Sequence, residues 1–278
     1  MTMKPTLTAR EQTKAYSRFF NKQTASVDPE VMRQLERGPV SPENATPIQN
    51  RNDILNPGDL PVENGYCRMP DGTGFVAVRT VMPDVTAEML DWWFMWHGLE
   101  GLRYKIWCPG EHYDARVRPE DLPRRLDTTL SLRERNWGTT DLVTENVGGG
   151  PTNIFISFQS PQQYGYDMSR FSAPNVLTAI SANAGMSDVW EPNITFSHCA
   201  RPHAGGGIEL RSRFWQGWNV VDGVPIRVGS KGGFPVEVMR DCACHCAAEY
   251  SNLAAILPTL YAENHGIVDT AESLAAGK

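Results

Sequence analysis

Between Asp241 and Leu253 the chain reads "DCACHCAAEYSNL", which gathers Cys242, Cys244, His245, Cys246 and Glu249 into a short span. Two chemistries compete for this run. Read as Cys-x-Cys-His-Cys it offers a zinc–thiolate site; read as His-x-x-x-Glu it offers an imidazole and a carboxylate. On a helix, residues four apart lie one above the other, so His245 and Glu249 can grip one ion from successive turns. The three thiols cannot all join them. Cys242 and Cys246 share a face, Cys244 points elsewhere, and Cys246 is turned by about 100° from His245. The thiols read better as small packing residues, with Cys242, one turn before His245, the least removed from the site.

By itself a His-x-x-x-Glu pair fits a surface ion pair as well as a metal pair. A metal centre needs further ligands. Candidates are His97, His112, His198, His203 and the acidic residues of strands that face the helix. Glu145, in "LVTENVGGG", sits among apolar neighbours, where a carboxylate must face solvent or meet a partner.

The elements that must position these groups follow from periodicity and punctuation. Residues up to about Leu60 open with two helical pieces, "TAREQTKAYSRFFN" and "DPEVMRQLERG", and then turn rich in Pro and Asn. They form an N-terminal appendage, taken as residues 1–80. "GFVAVRTVMP" predicts a strand, and "DVTAEMLDWWFMWHGLEG" a helix capped by Asp84 or Thr86 that carries Trp92, Trp93, Trp96 and His97. Short extended runs follow: "RYKIW", "TDLVTENVG", "TNIFISF", "NITFSHCARP", "GIELRSRFWQGWNVV" and "VPIRVG", parted by Gly, Pro and Asn. They predict an antiparallel sheet. A long helix opens at Pro235 and stops near Gly266, with Pro258 expected to kink it. The fold class is therefore α+β: over 81–278, one long helix lies across a curved antiparallel sheet and leaves a cavity between them.

Bulk properties narrow the function. A chain of 278 residues with 41% hydrophobic and 21% charged residues has the composition of an ordinary globular protein. A net charge of -6 and scattered Lys and Arg argue against a nucleic-acid footprint. The opening "MTMKPTLTAREQTKAYSRFF" has no apolar run of signal-peptide length, and no later stretch reaches the ~20 apolar residues of a membrane span. A cytoplasmic location is expected, with the six cysteines as thiols or ligands rather than disulfides.

Four motifs in order, "EMLDWWFMWHGLEGLRYKIWCPGEH", "VTENVGGG", "HCARPHAGGGIELRSRFWQGW" and "HCAAEYSNLAAILPTLYAEN", resemble the family of diacetylphloroglucinol hydrolase and phloretin hydrolase. The resemblance runs from about Met82 to Gly266. It implies a Bet v 1-like helix-grip domain, a small N-terminal part involved in homodimer contacts, and zinc-dependent cleavage of the bond between an aromatic ring and an acyl group. Carried over residue by residue, it implies zinc on His112, Glu145, His245 and Glu249. It also implies Tyr104 near the substrate phenol and His198 as an acid or base. His97 and Trp218 are candidate walls for the ring, although a tryptophan-rich helix and a buried histidine serve a core equally well. Glu111, beside His112 on a strand or loop whose neighbours face opposite ways, reads as a decoy, and Arg211 and Arg213 read as sheet-surface or ion-pair residues.

Two other readings remain open at this level. One is a binding module of the same fold that holds an aromatic ligand without metal or turnover. The other is the same metal chemistry on another acyl phenol or a 1,3-diketone, which the unusual cysteine-rich helix and Cys108 leave open. A metalloprotease is disfavoured because no His-Glu-x-x-His occurs.

Overall fold

A computed structural model describes residues 4–229 and 233–275. The strands are β1 Gly65–Arg68, β2 Gly74–Met82, β3 His112–Val117, β4 Thr140–Glu145, β5 Thr152–Gln159, β6 Thr178–Met186, β7 Ile194–Pro202, β8 Ile208–Gln216, β9 Trp218–Val221 and β10 Val224–Arg227. The helices are α1 Pro29–Glu36, α2 Ala87–Trp96, α3 Gly101–Lys105, α4 Leu122–Leu126, α5 Leu132–Asn136, α6 Met168–Phe171, α7 Val236–Asn264 and α8 Ala271–Ala275. Eight strands form one sheet in the order β1-β2-β8-β7-β6-β5-β4-β3, antiparallel throughout, while β9 and β10 make a separate hairpin.

The sheet wraps around α7. At one edge α7 packs on β1 and β2, yet His112, from β3 at the opposite edge, lies within 3.3 Å of His245 on the same helix. Both edges can meet one helix only if the sheet curls around it. This is the α+β helix-grip arrangement, Bet v 1-like, that the sequence implied.

Strand alternation sorts the core into two layers. Val76 and Val78 of β2 face α7 and join the core built on α2 and α7. Phe75 and Ala77 face outward, where Ile48, Ile54, Leu55 and Val62 of the N-terminal segment cover them. Because β1 and β2 belong to the sheet, the expected division at residue 80 falls inside β2.

Local chemistry fixes the helix ends. Thr86, not Asp84, caps α2 by accepting a hydrogen bond from the Met89 amide, 3.2 Å. Pro235 stands at the cap of α7, which continues through Pro258 to Asn264. Two local expectations fail. "RYKIW" is not a strand: α3 takes its first residues, and the Ile106 and Trp107 amides close turns onto Leu102 and Tyr104. A short apolar run fits a buried helical turn as well as a strand, and here Leu102, Tyr104 and Ile106 all bury. The first N-terminal piece forms short 3-10 turns, Glu11–Thr13 and Ala15–Phe19, rather than a helix.

Candidate metal centre and the cavity beside it

Antiparallel pairing of β3 with β4 sets His112 opposite Glu145, and α7 brings in His245 and Glu249 one turn apart. His112 Nε2 lies 3.3 Å from His245 Nε2, 3.5 Å from Glu249 Oε2 and 3.8 Å from Glu145 Oε2. His245 Nε2 lies 3.8 Å from Glu249 Oε2. A tetrahedral ion with bonds of about 2.0–2.1 Å needs ligand atoms about 3.3–3.4 Å apart, so each of these four edges needs only to close in slightly.

Partners on the far side of each ring fix the proton positions. His112 Nδ1 faces the Tyr104 carbonyl at 3.2 Å, and His245 Nδ1 faces Glu111 Oε2 at 2.5 Å. Carbonyl and carboxylate oxygens only accept, so both Nδ1 atoms carry hydrogen; neutral His112 turns its Nε2 lone pair toward His245, whose own Nε2 proton an ion would displace. Two carboxylates add to this negative focus. No Lys or Arg pairs with Glu145 or Glu249 among the described residues. Burial pushes Glu249 up to about 8, with Glu145 and Glu111 adding to it and His245 opposing. Burial also holds His112 well below the usual imidazole range, helped by His245. On His245 burial opposes the charge, but the Glu111 hydrogen bond and the nearby carboxylates prevail and raise it to about 9. The one positive charge set against these carboxyl groups is thus the His245 proton, which a metal ion can displace and replace.

Beside this focus lies a cavity of about 240 Å³ between the inner face of the sheet and α7. Its walls are mostly apolar, with Phe94, Trp107 and Phe158 among them. Tyr104 stacks on His112, ring centroids 3.8 Å apart, and its hydroxyl donates to Glu145 Oε2. Burial and the Glu145 charge keep it a neutral phenol, far above its ordinary pKa. His198, on β7, meets Ser212 Oγ through Nδ1 at 2.7 Å and packs against Tyr250 and Phe94. Burial lowers it to about 3, so it is neutral at physiological pH. His97 lines the same cavity, its Nδ1 donating to the Trp93 carbonyl at 2.9 Å and its ring stacked with Tyr104. Burial brings it to about 4, against the pull of Asp141.

Trp218 is not in this cavity. Gly217, at φ 85°, breaks the alternation at the end of β8 and starts the separate β9–β10 hairpin, so Trp218 lies outside beside Trp215 and Thr46. The tryptophan that does line the cavity is Trp107, whose Nε1 donates to the Glu249 carbonyl at 3.0 Å. His203 stays in the β7–β8 turn, bonded to Gly206. Glu111, expected to face away from the ligands, supports one of them. It precedes β3 in a turn, so strand alternation does not govern its direction.

A family model described as the "DAPG hydrolase PhiG domain" matches residues 46–262. The phloretin hydrolase of Eubacterium ramulus is 35% identical over 267 residues, 91% of either chain. The chain belongs to the DAPG hydrolase family. It is therefore an enzyme, a carbon–carbon bond hydrolase. A 2,4-diacetylphloroglucinol hydrolase of a Pseudomonas species is 29% identical across 92% of this chain and 90% of its own. Solved structures are more distant: Ara h 8.0201 has a TM-score of 0.42 at 10% identity, covering 68% of this chain and 99% of its own. A norcoclaurine synthase from Thalictrum flavum has a TM-score of 0.37 at 12% identity, covering 69% and 90%.

In this family member one thiol competes for the cation. Cys108 Sγ and the imidazole nitrogens of His112 and His245 lie within 4.8 Å of one another, so a Cys-His-His set shares both imidazoles with the carboxylate set. Burial, then the charges of Glu111 and Glu249, hold Cys108 far above the ordinary thiol range, and it donates to Glu111 Oε2 at 3.7 Å. Cys242 and Cys246 line the cavity. Cys244 faces outward into a groove of about 800 Å³ whose inner end is Glu111 and His245. His245 thus borders both spaces. The candidate ligand cluster therefore meets the groove through His245 and the cavity through Glu145, His245 and Glu249.

Proposed function

We propose that this hydrolase uses zinc, held by His112, Glu145, His245 and Glu249, to remove the acyl group from a small acylphenol of the acylphloroglucinol or phloretin type. The products are a carboxylic acid and the deacylated phenol. The supporting observation is the convergence of two imidazole nitrogens and two glutamate carboxyl groups, with no Lys or Arg paired to them among the described residues, at one end of an apolar, ring-lined cavity.

Zinc in such a site polarises a carbonyl and lowers the pKa of bound water from ~16 towards ~7. The remaining work falls to the chain. Trp107, Phe94 and Phe158 hold the ring and exclude water from it. Once the ring is in its keto form, its bond to the acyl carbon is that of a 1,3-dicarbonyl compound. Water adds its oxygen to the acyl carbon, the carbon–carbon bond breaks with its electron pair passing to the ring, and the ring carbon takes a proton. His198, neutral and tied at Nδ1 to Ser212, has Nε2 available to exchange that proton. Tyr104, a phenol bonded to Glu145, holds the reacting end in register. The same reading makes the protein a homodimer with contacts in residues 1–80. It places the protein in the cytoplasm, in keeping with six free cysteines.

The test is chromatographic detection of deacylation across a panel of acylphloroglucinols and phloretin, with and without a chelator. Turnover that the chelator stops and zinc restores is expected. Tight binding of these compounds without metal or turnover would replace the enzyme reading with a binding module.

A further inference from the structure

The cavity wall carries two polar groups that the reaction described above leaves unused. Tyr250 is wholly buried and lines the cavity, its ring 5.4 Å from that of Trp107 and 4.8 Å from that of His198, yet its hydroxyl has no hydrogen-bond partner. Gln216 is 4% exposed, also lines the cavity, and its Oε1 is likewise unpartnered. A buried polar atom without a partner costs about 1–3 kcal/mol, and native proteins rarely retain one without a use. Gly74 makes room for this one. A Cβ there would collide with Gln216 Oε1 and with the Met239 side chain.

Their positions differ in a way that matches a ring. Tyr250 follows the ligand Glu249 on α7 and touches Trp107, whose indole is bonded to the Glu249 carbonyl. It stands at the metal end. Gln216 ends β8 beside Gly74 and Met239, and Met239 precedes His245 on α7 by about 9 Å of helix rise, so it stands at the far end. With the acyl group at the metal, a hydroxyl next to it comes to Tyr250 and a hydroxyl across the ring comes to Gln216.

Resting on the function proposed above, we infer that Tyr250 and Gln216 are specificity residues. Tyr250 bonds a ring hydroxyl flanking the acyl group, Gln216 accepts a bond from the hydroxyl para to it, and together they select polyhydroxylated acylbenzenes over plain acylphenols. A site built to bond a hydroxyl rejects the analogue that lacks it, because its own buried group is then left unpaired.

The experiment compares 2,4,6-trihydroxyacetophenone with 2,6-dihydroxyacetophenone, which lacks the para hydroxyl, on the zinc-loaded wild type, Gln216→Met and Tyr250→Phe. Bound metal and thermal melting are recorded for each variant. The para hydroxyl also changes intrinsic reactivity, so the reading is the change in the kcat/KM ratio between proteins, from which that contribution cancels. Gln216→Met should shrink the ratio by about tenfold or more, mainly through KM, whereas Tyr250→Phe should lower both compounds together and leave the ratio in place. Equal losses on both compounds with Gln216→Met, or no loss with Tyr250→Phe, would overturn the assignment. Should the wild type turn over neither compound, the function itself fails, and quenching of tryptophan fluorescence still decides the selectivity. Tighter wild-type binding of the trihydroxy compound that Gln216→Met abolishes upholds it, and equal binding by the wild type sinks it.

Discussion

On the outer face of the sheet, Glu63 accepts from Arg211 at 2.6 Å through Oε1 and from Arg213 at 2.7 Å through Oε2, and both guanidiniums are fully buried. On the inner face, Glu145 and Glu249 meet only imidazoles and a phenol among the described residues. Both are buried carboxylate clusters, and β8 serves each, since Arg211 and Arg213 point outward while Ser212 between them reaches His198. Their electrical balance differs. The outer cluster supplies its own countercharge and further ties its arginines to the Ile54 and Val62 carbonyls, which clamps the N-terminal segment to the sheet. The inner one has no guanidinium or ammonium partner among the described residues, only a displaceable imidazole proton. A buried cluster that is closed by its own charges is a fastening, whereas one left open to a missing charge is a site.

The largest expected break in this comparison is chemical. His245→Ala or Glu249→Ala should lower kcat/KM on an acylphloroglucinol by about a thousandfold or more and strip the metal, because a three-ligand remnant holds the ion poorly. Thermal melting of these proteins should stay close to that of metal-free wild type. Metal analysis beside a melting curve checks both statements. Variant melting that fell far below that of metal-free wild type, along with activity, would make the inner cluster a fastening too.

Next in size is the opposite experiment. Glu63→Ala leaves two guanidiniums buried without a carboxylate, which costs about 3–5 kcal/mol of stability, while the folded fraction should keep its metal and its kcat. Denaturant titration with activity measured per folded molecule separates the two effects. The pH dependence has a definite sign. Burial works against the Glu63 charge, but Arg213 and Arg211 outweigh it and hold the carboxyl below its ordinary 4.5. Its contribution is thus complete above the unfolded value and is lost as pH falls through the folded one. Wild type should therefore exceed Glu63→Gln in stability at neutral pH, and the gap should close below about pH 4.

A smaller effect falls on Glu111, whose carboxylate orients the His245 ring. Glu111→Gln keeps the shape but weakens the charge-assisted bond, and metal affinity should drop about 10–100-fold in competition with a chromophoric chelator. Unchanged affinity would return Glu111 to the surface role that strand alternation suggests.

How much of this was legible depends on the separation of the partners. His245 and Glu249 share one helix, so spacing alone put them on one face, and Pro235 and Gly266 marked the ends of α7. His112 and Glu145 meet across two strands, where no local period connects them, and only the family resemblance paired them. β6, "TAISANAGM", was not read as a strand, since Ala, Ser and Asn carry little strand signal. The smallness that hid it also makes room, for Ala184 lines the cavity. Trp218 is a candidate wall by residue type alone, and type does not show that the chain turns away at Gly217. Glu63 left no trace in the sequence beyond one acid in a Pro- and Asn-rich loop, because its partners lie 148 and 150 residues further on.

The smallest expected effect bears on which donors close the inner cluster. Cys108 lies close enough to replace a carboxylate, and a thiolate would make the centre softer and slower to release an oxygen ligand. Against it stand its burial and, after that, the nearby carboxylates, which keep it a thiol, and its bond to Glu111, which already uses its hydrogen. Cobalt in place of zinc reports the difference directly, since thiolate ligation adds an intense near-ultraviolet charge-transfer band that nitrogen and oxygen ligands lack. The wild-type cobalt protein should show no such band, and Cys108→Ser should change metal affinity by less than about twofold. A band that vanishes in Cys108→Ser would put sulfur in the coordination sphere and remove Glu145, leaving that carboxylate to hold the Tyr104 hydroxyl instead.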